Sequence, residues 1–304
     1  MQIIEAITEY IDELEITNTS KETIRAYKNS LNMFCKFIKE STDVKKISTS
    51  DIKAFHQFNK GRGLKQKTLN VYISALRGMF KYLIDEQIIK TNPAMIIKLE
   101  RAKDKKTIEV FTNDEVRRLV AWNKRSRKFL DVRDNLIISF LLETGCRNHE
   151  LSYLKESDIH DGFVYFKVTK NSKPRVVPIS KLLEKQMRRY KRIKEEYFKK
   201  LKKESIIEDF YILSKSGNRM WQQNIGQVVN RVCKDCNIHE QKAYPHNFRH
   251  THAVMMLKNT GNVHLVSKLL GHCNLSITEE YLRGLTKDDV IEMAKGSSIL
   301  ESLR

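Results

Sequence analysis

Residues 245–283 read PHNFRHTHAVMMLKNTGNVHLVSKLLGHCNLSITEEYLR. His246 and Arg249 stand three residues apart behind Pro245, Gly271-His272 follows, and Tyr281 comes nine residues after His272. Between them Ala253, Met256 and Leu257, then Val263, Val266, Leu269 and Leu270, recur at helical spacing. The polar groups therefore mark helix ends. Proline suits a first helical turn, and a glycine after a periodic run suits a C-cap. At i and i+3, His246 and Arg249 are expected on one face of that first turn. The inventory suits phosphate: Arg offers a bidentate fork, His moves a proton near neutral pH, and Tyr can form a covalent bond.

His-x-x-Arg-His, Leu-Leu-Gly-His and a Tyr nine residues later resemble the second half of the active site of the tyrosine site-specific recombinases (the lambda-integrase, Cre and Xer group). The resemblance implies an upstream Thr-Gly-x-Arg-x-x-Glu-Leu box, and residues 144–151 read Thr-Gly-Cys-Arg-Asn-His-Glu-Leu. Three boxes in the family's order lie within the last two thirds of the chain. The implied fold is mainly α with a small antiparallel β-sheet in the second domain: an N-terminal helical bundle followed by an α+β catalytic domain.

A chain of 304 residues has room for about two domains. The net charge of +19 is unevenly spread: residues 1–100 carry 16 Lys and Arg against 12 Asp and Glu, and the remainder 40 against 25. So basic a second part predicts a polyanionic partner. Cys35, Cys146, Cys233, Cys236 and Cys273 show no disulfide spacing and read as reduced intracellular thiols. Cys233-x-x-Cys236 lacks a second ligand pair and lies in a helical run, so no metal site is expected. The opening Met1-Gln-Ile-Ile-Glu is no signal peptide, and no apolar run reaches membrane-spanning length.

Residues 1–100 read as four helices, a core-DNA-binding bundle in the family's terms. Thr19-x-x-Glu22 and Ser48-x-x-Asp51 form capping boxes, Gly61-Arg-Gly63 breaks the pattern, Thr68 to Ile84 carries an apolar stripe, and Asn92-Pro93 closes the region. Its Ser20-Lys21 and Lys65-Gln-Lys67-Thr68 helix starts are places where phosphates bind, or simply solvated caps. The charged, aperiodic stretch around Lys98 to Thr107 predicts a linker, 101–110. The catalytic domain is expected over 111–304. It opens on a Thr112-x-x-Glu115 cap, and an apolar helix then ends at Thr144-Gly145. Gly162 to Val168 and Arg175 to Ile179 read as strands of a hairpin with Lys170 at its tip. Lys181 to Lys203 reads as a long basic helix, Tyr211 to Ser214 as a third short strand, and everything from Gln222 as helical.

Breaking and resealing a DNA phosphodiester without an energy source needs a nucleophile that keeps the phosphoryl bond, cations on the non-bridging oxygens, and an acid for the leaving 5′ oxygen. The resemblance assigns these parts to six residues. Tyr281 is the nucleophile, Arg147 and Arg249 clamp the phosphate, His246 helps with proton transfer, and His272 donates to a phosphate oxygen. Lys170 is the general acid, with Lys173 as runner-up. Glu150 supports the arginine box and His250 sits beside the site, neither expected to do chemistry. No cofactor and no metal enter the scheme. A zincin reading of His246-x-x-x-His250 fails because Asn247 leaves no general base.

Asn247-Phe248, Asn148-His149 and His252 depart from commoner family forms without removing a catalytic group. The implied function is site-specific recombination through a 3′-phosphotyrosine. A type IB-like topoisomerase and a non-catalytic DNA-binding protein are the alternatives. The implied partners are duplex DNA with inverted core sites and further copies of the chain, two on one site and four in the synapse. No membrane is involved, and a cytoplasmic, nucleoid-associated setting follows. Helix one begins near Ile3, so no additional arm-binding domain is expected. The tail after Gly296, apolar at Ile299, Leu300 and Leu303, is expected to dock on a neighbouring subunit or in cis.

Overall fold

The computed structural model describes residues 1–100, 109–167, 174–202, 208–271, 274–282 and 289. The chain falls into two compact units, Met1–Lys106 and Thr107–Arg304. Lys170, Lys173, His272, Cys273 and the tail after Gly296 lie outside the described residues.

Among the described residues four α-helices build the first unit: α1 (Ile3–Ile16), α2 (Lys21–Ile38), α3 (Thr49–Gly61) and α4 (Gln66–Asp85). Each turns an apolar stripe inward, so that Ile3, Leu31, Phe34, Phe55, Leu76 and Phe80 are buried together. Ser48 and Asp51 form the expected reciprocal cap of α3. The cap of α2 stands one residue later than the Thr19 box predicted: Ser20 Oγ accepts from Thr23 N at 3.2 Å. Thr19 is already engaged, its N–H donating to Leu14 O as α1 closes. After α4, the Arg77 guanidinium donates to the carbonyls of Ala94, Met95 and Ile97, which fastens the segment around Pro93 to the bundle.

The second unit is α+β. Its helices are α5 (Asn113–Ala121), α6 (Phe129–Thr144), α7 (Asn148–Ser152), α8 (Lys181–Lys200), α9 (Gln222–Asp235), α10 (Pro245–Thr260), α11 (Val263–Leu270) and α12 (Ser276–Leu282). Strands β1 (Ile159–His160), β2 (Phe163–Phe166) and β3 (Arg175–Pro178) form one antiparallel sheet in that order. Val164 pairs with Val177 and Phe166 with Arg175. Helix α6 runs through the centre, buried on nearly every side. Its buried Asp134 is held by Arg133 and Arg231, as a carboxylate in such a place must be.

The third strand of the sheet is therefore Ile159–His160 rather than Tyr211–Ser214. Tyr211, Ile212 and Leu213 are buried, but their backbone groups are taken elsewhere: Tyr211 N donates to Leu154 O and Leu213 N to the Tyr190 hydroxyl. Only an isolated bridge, Leu213 with Arg219, remains of the expected strand. The basic helix α8 turns Leu183, Met187, Tyr190, Ile193 and Phe198 inward and leaves Lys185, Arg188 and Arg192 in solvent. Cys233 and Cys236 are buried, and burial pushes the Cys233 thiol up to about 12. Among the described residues no helix is long and apolar enough to cross a membrane.

Candidate active site

Three helix ends converge at one place in the second unit. Helix α6 stops at Gly145, whose φ of +57° is the left-handed conformation that favours glycine. That turn releases the chain into Arg147, the N-cap of α7. Helix α10 starts at Pro245 and carries His246, Arg249 and His250 in its first two turns. Helix α11 ends on Gly271, again left-handed with φ +65°.

Arg249 ties these ends together. It is 1% exposed, its Nη1 donating to Gly145 O at 2.9 Å and its Nη2 to Leu270 O at 2.6 Å. Both acceptors lie at helix C-termini, where orphan carbonyls and the macrodipole welcome a cation. Burial pulls its pKa down to about 10, and Arg147 and Arg175 pull the same way, yet it stays charged at neutral pH. Carbonyl dipoles cancel none of its net charge, so the pocket is left wanting an anion.

Arg147 is held differently. Its backbone N–H donates to Glu150 Oε2 at 2.7 Å and its Nη1 to Oε1 at 3.0 Å. The same carboxylate, 1% exposed, also receives Arg175 from β3, with Nη1 to Oε1 at 2.6 Å and Nη2 to Oε2 at 2.8 Å. Burial alone would raise the Glu150 carboxyl. The Arg175 fork and then Arg147 more than reverse that and hold it below the usual range. Arg175 Nε donates to Leu269 O at 2.8 Å, and its Cδ lies so near Gly271 that an added Cβ there would sit 3.1 Å away. One buried guanidinium thus joins the arginine box, the sheet and the turn that precedes His272.

His246 stands exposed at the start of α10. The surrounding protein, then Arg249 and Arg147, lower its pKa. Its ring meets that of His250 edge-on at 4.7 Å. His250 Nδ1 lies 2.9 Å from the Tyr281 hydroxyl, and Tyr281 is 3% exposed. Desolvation, His246 and Arg249 push His250 down to about 4. His252, one turn from Phe248, packs over the Gly145 turn and meets Leu142 O through Nδ1 at 3.0 Å.

Of the six residues singled out in the sequence, Arg147, His246, Arg249 and Tyr281 are brought into one neighbourhood; Lys170 and His272 lie outside the described residues. Two participants were not foreseen. Arg175 read merely as the start of a strand, although an arginine in a run of Val-Val-Pro was a signal: buried cations need buried partners. His250 was expected only beside the site, yet it touches the tyrosine hydroxyl. Among the described residues no cluster of His, Cys, Asp or Glu could hold a metal ion.

A buried Arg249, a half-buried Arg147, an exposed His246 and the Tyr281 hydroxyl are set together on a helical and small-sheet framework, a set whose chemistry suits an anion such as a phosphate. The Phage integrase family profile matches residues 109–287, and that family's N-terminal SAM-like domain matches residues 7–87. The chain is 30% identical over 268 residues to tyrosine recombinase XerD of Listeria monocytogenes, covering 86% of this chain and 88% of that one. It is 29% identical over 281 residues to tyrosine recombinase XerC of Thermodesulfovibrio yellowstonii, covering 90% of each. In fold it is similar to XerH site-specific recombinase bound to palindromic difH substrate (TM-score 0.73, 21% identity, 93% of this chain and 81% of that one). The lambda integrase tetramer bound to a Holliday junction is similar too (TM-score 0.70, 18% identity, 92% and 77%). The chain belongs to the phage integrase family, the tyrosine recombinases. It is an enzyme of site-specific DNA recombination.

Proposed function

We propose that the chain cuts one strand of a duplex through Tyr281, holds the DNA 3′ end as a phosphotyrosine, and rejoins it to a new 5′ hydroxyl. The observation that carries this reading is the convergence on α10. The Tyr281 hydroxyl lies against His250, one residue from an Arg249 laced to the turn that leads into Arg147. Arg249 and Arg147 present donors to the two non-bridging oxygens and offset the charge that grows there in the transition state. His246, kept largely neutral, assists proton transfer; His272 donates to a phosphate oxygen; Lys170 protonates the leaving 5′ oxygen, with Lys173 as the other candidate. No step uses a metal or a cofactor.

The substrate in this reading is duplex DNA with inverted core sites, bound by a helical core-DNA-binding domain (1–100) and a catalytic domain (111–304), with 101–110 as the linker. Two protomers occupy one site and four form the synapse, linked by the C-terminal tail. The setting is the bacterial cytoplasm and nucleoid. The test is a duplex site nicked near the cleavage position, on which the protein becomes trapped. Tyr281→Phe should bind that DNA normally and trap none of it. Equal trapping by the variant would shift the nucleophile to another tyrosine such as Tyr244 and overturn the assignment.

A further inference from the structure

An attacking phenol must lose a proton, and the arginines around Tyr281 are donors that cannot take it. His250 can. Its Nδ1 is 2.9 Å from Tyr281 Oη, within direct transfer distance. The contact joins α10 to α12 at the border of the small apolar cluster in which Tyr281 packs with Ala253, Val254, Leu257, Val266 and Leu270. We propose, resting on the reading of Tyr281 as nucleophile, that His250 is a further catalytic residue: the base that receives the Tyr281 proton during strand cleavage and returns it during rejoining.

The step balances. The Tyr281 Oη–P bond forms, the Oη proton passes to His250 Nδ1, the P–O5′ bond breaks, and the 5′ oxygen takes its proton from the general acid. Rejoining runs the same transfers backwards. The groups facing the ring fix its resting state. His246 and Arg249 on its own helix, together with burial, keep it neutral with a pKa near 4. Arg147, from the turn after α6, acts on His246 in the same sense. Across the interface stands Tyr281 on α12. A neutral ring with Nδ1 as acceptor turns the hydroxyl proton towards the base. So weak a base takes no proton from a resting phenol of pKa about 10. It does so only as the Oη–P bond forms, and the incoming phosphate anion favours the imidazolium.

The experiment is single-turnover formation of the covalent adduct on the nicked duplex from pH 6 to 9. Wild type is compared with His250→Asn, whose Oδ1 still accepts from the tyrosine but cannot be protonated, and with His250→Ala supplemented with imidazole. Wild type should be nearly flat with pH. His250→Asn should form adduct roughly 10²-fold more slowly with unchanged DNA affinity, its rate climbing with pH as phenolate appears. Added imidazole should restore much of the His250→Ala rate. His250→Asn matching wild type would overturn the proposal, since a hydrogen bond without a base would then suffice. Absence of imidazole rescue in a folded His250→Ala protein would count equally against it. Failure of the wild type itself to form an adduct would instead overturn the parent reading of Tyr281.

Discussion

Replacing Arg175 with Met should be among the most damaging single changes in the second unit. Methionine keeps most of the volume, so the loss is electrostatic rather than a cavity. Three hydrogen bonds go: two to Glu150, at 2.6 and 2.8 Å, and one to Leu269 O at 2.8 Å. Summed separately at the rate for charged groups they would come to roughly 4–9 kcal/mol. They share one side chain and are not additive, so the better guide is the cost of orphaning one partner of a buried pair, about 3–5 kcal/mol. Glu150, 1% exposed, keeps Arg147, but that side chain is 28% exposed and screens poorly. For a unit of this size the loss corresponds to a melting point lower by roughly 6–20 °C. The chain's two tryptophans, Trp122 and Trp221, both lie in the second unit, so urea unfolding followed by tryptophan emission reports that unit. The pH dependence checks the mechanism. A carboxyl held below its ordinary value stabilises above about pH 4.3 and loses that contribution as pH falls through its folded value. The gap between wild type and Arg175→Met should therefore be full near neutrality and narrow in acid. A loss under about 1 kcal/mol, or a gap that widens in acid, would refute the reasoning.

Gly145→Ala forces an L side chain to φ +57° and places a Cβ 2.7 Å from His252 Cδ2 and 2.9 Å from Leu270 Cδ2. Strain and overpacking together predict roughly 2–5 kcal/mol of destabilisation, plus slower adduct formation as the carbonyl under Arg249 shifts; an unchanged urea midpoint would contradict this. Acid should weaken the second unit early. His250, held near 4 in the fold, would titrate near 6.5 once unfolded, so the unfolded state binds the extra proton between those values and stability falls as pH drops through that window. After discounting for solvent screening of the part-buried ring, the loss should reach roughly 1–2 kcal/mol by pH 4, with His246 and His252 adding in the same direction, and a flat profile from pH 7 to 5 would count against it.

The helices were legible wherever apolar spacing and caps agreed. Ser48 with Asp51 and Thr112 with Glu115 start α3 and α5 as their side-chain chemistry requires. Gly145 and Gly271 end α6 and α11 because little else adopts those angles cheaply. Sequence reading slipped where a competitor for a backbone group lay out of view. Leu14 O took the Thr19 N–H, and Leu154 O with the Tyr190 hydroxyl took the donors that Tyr211 to Ser214 needed for a strand. Polar types at helix ends drew attention to residues 245–283, but the six residues of the proposed chemistry were singled out through the family's boxes. For Arg175 the sequence offered only its place in an apolar strand, since its partners are 25 and 94 residues away and local patterning does not name them. Nor could the contact of His250 with Tyr281, 31 residues on, be read from a helix-by-helix pattern.

The way Arg249 is held also sets a schedule for the chain's synthesis. Its two acceptors lie 104 residues before it and 21 after it, and Arg175 reaches 94 residues forward to Leu269. Contacts of such long separation form late, after their loops have closed. A nascent chain that has emerged only as far as Arg249 already carries the arginine box, but that guanidinium has one of its two carbonyls, and Tyr281 is not yet made. If Tyr281 is the nucleophile as proposed, translation makes both arginines before it, and a polypeptide cut short ahead of residue 281 lacks the group that would attack DNA.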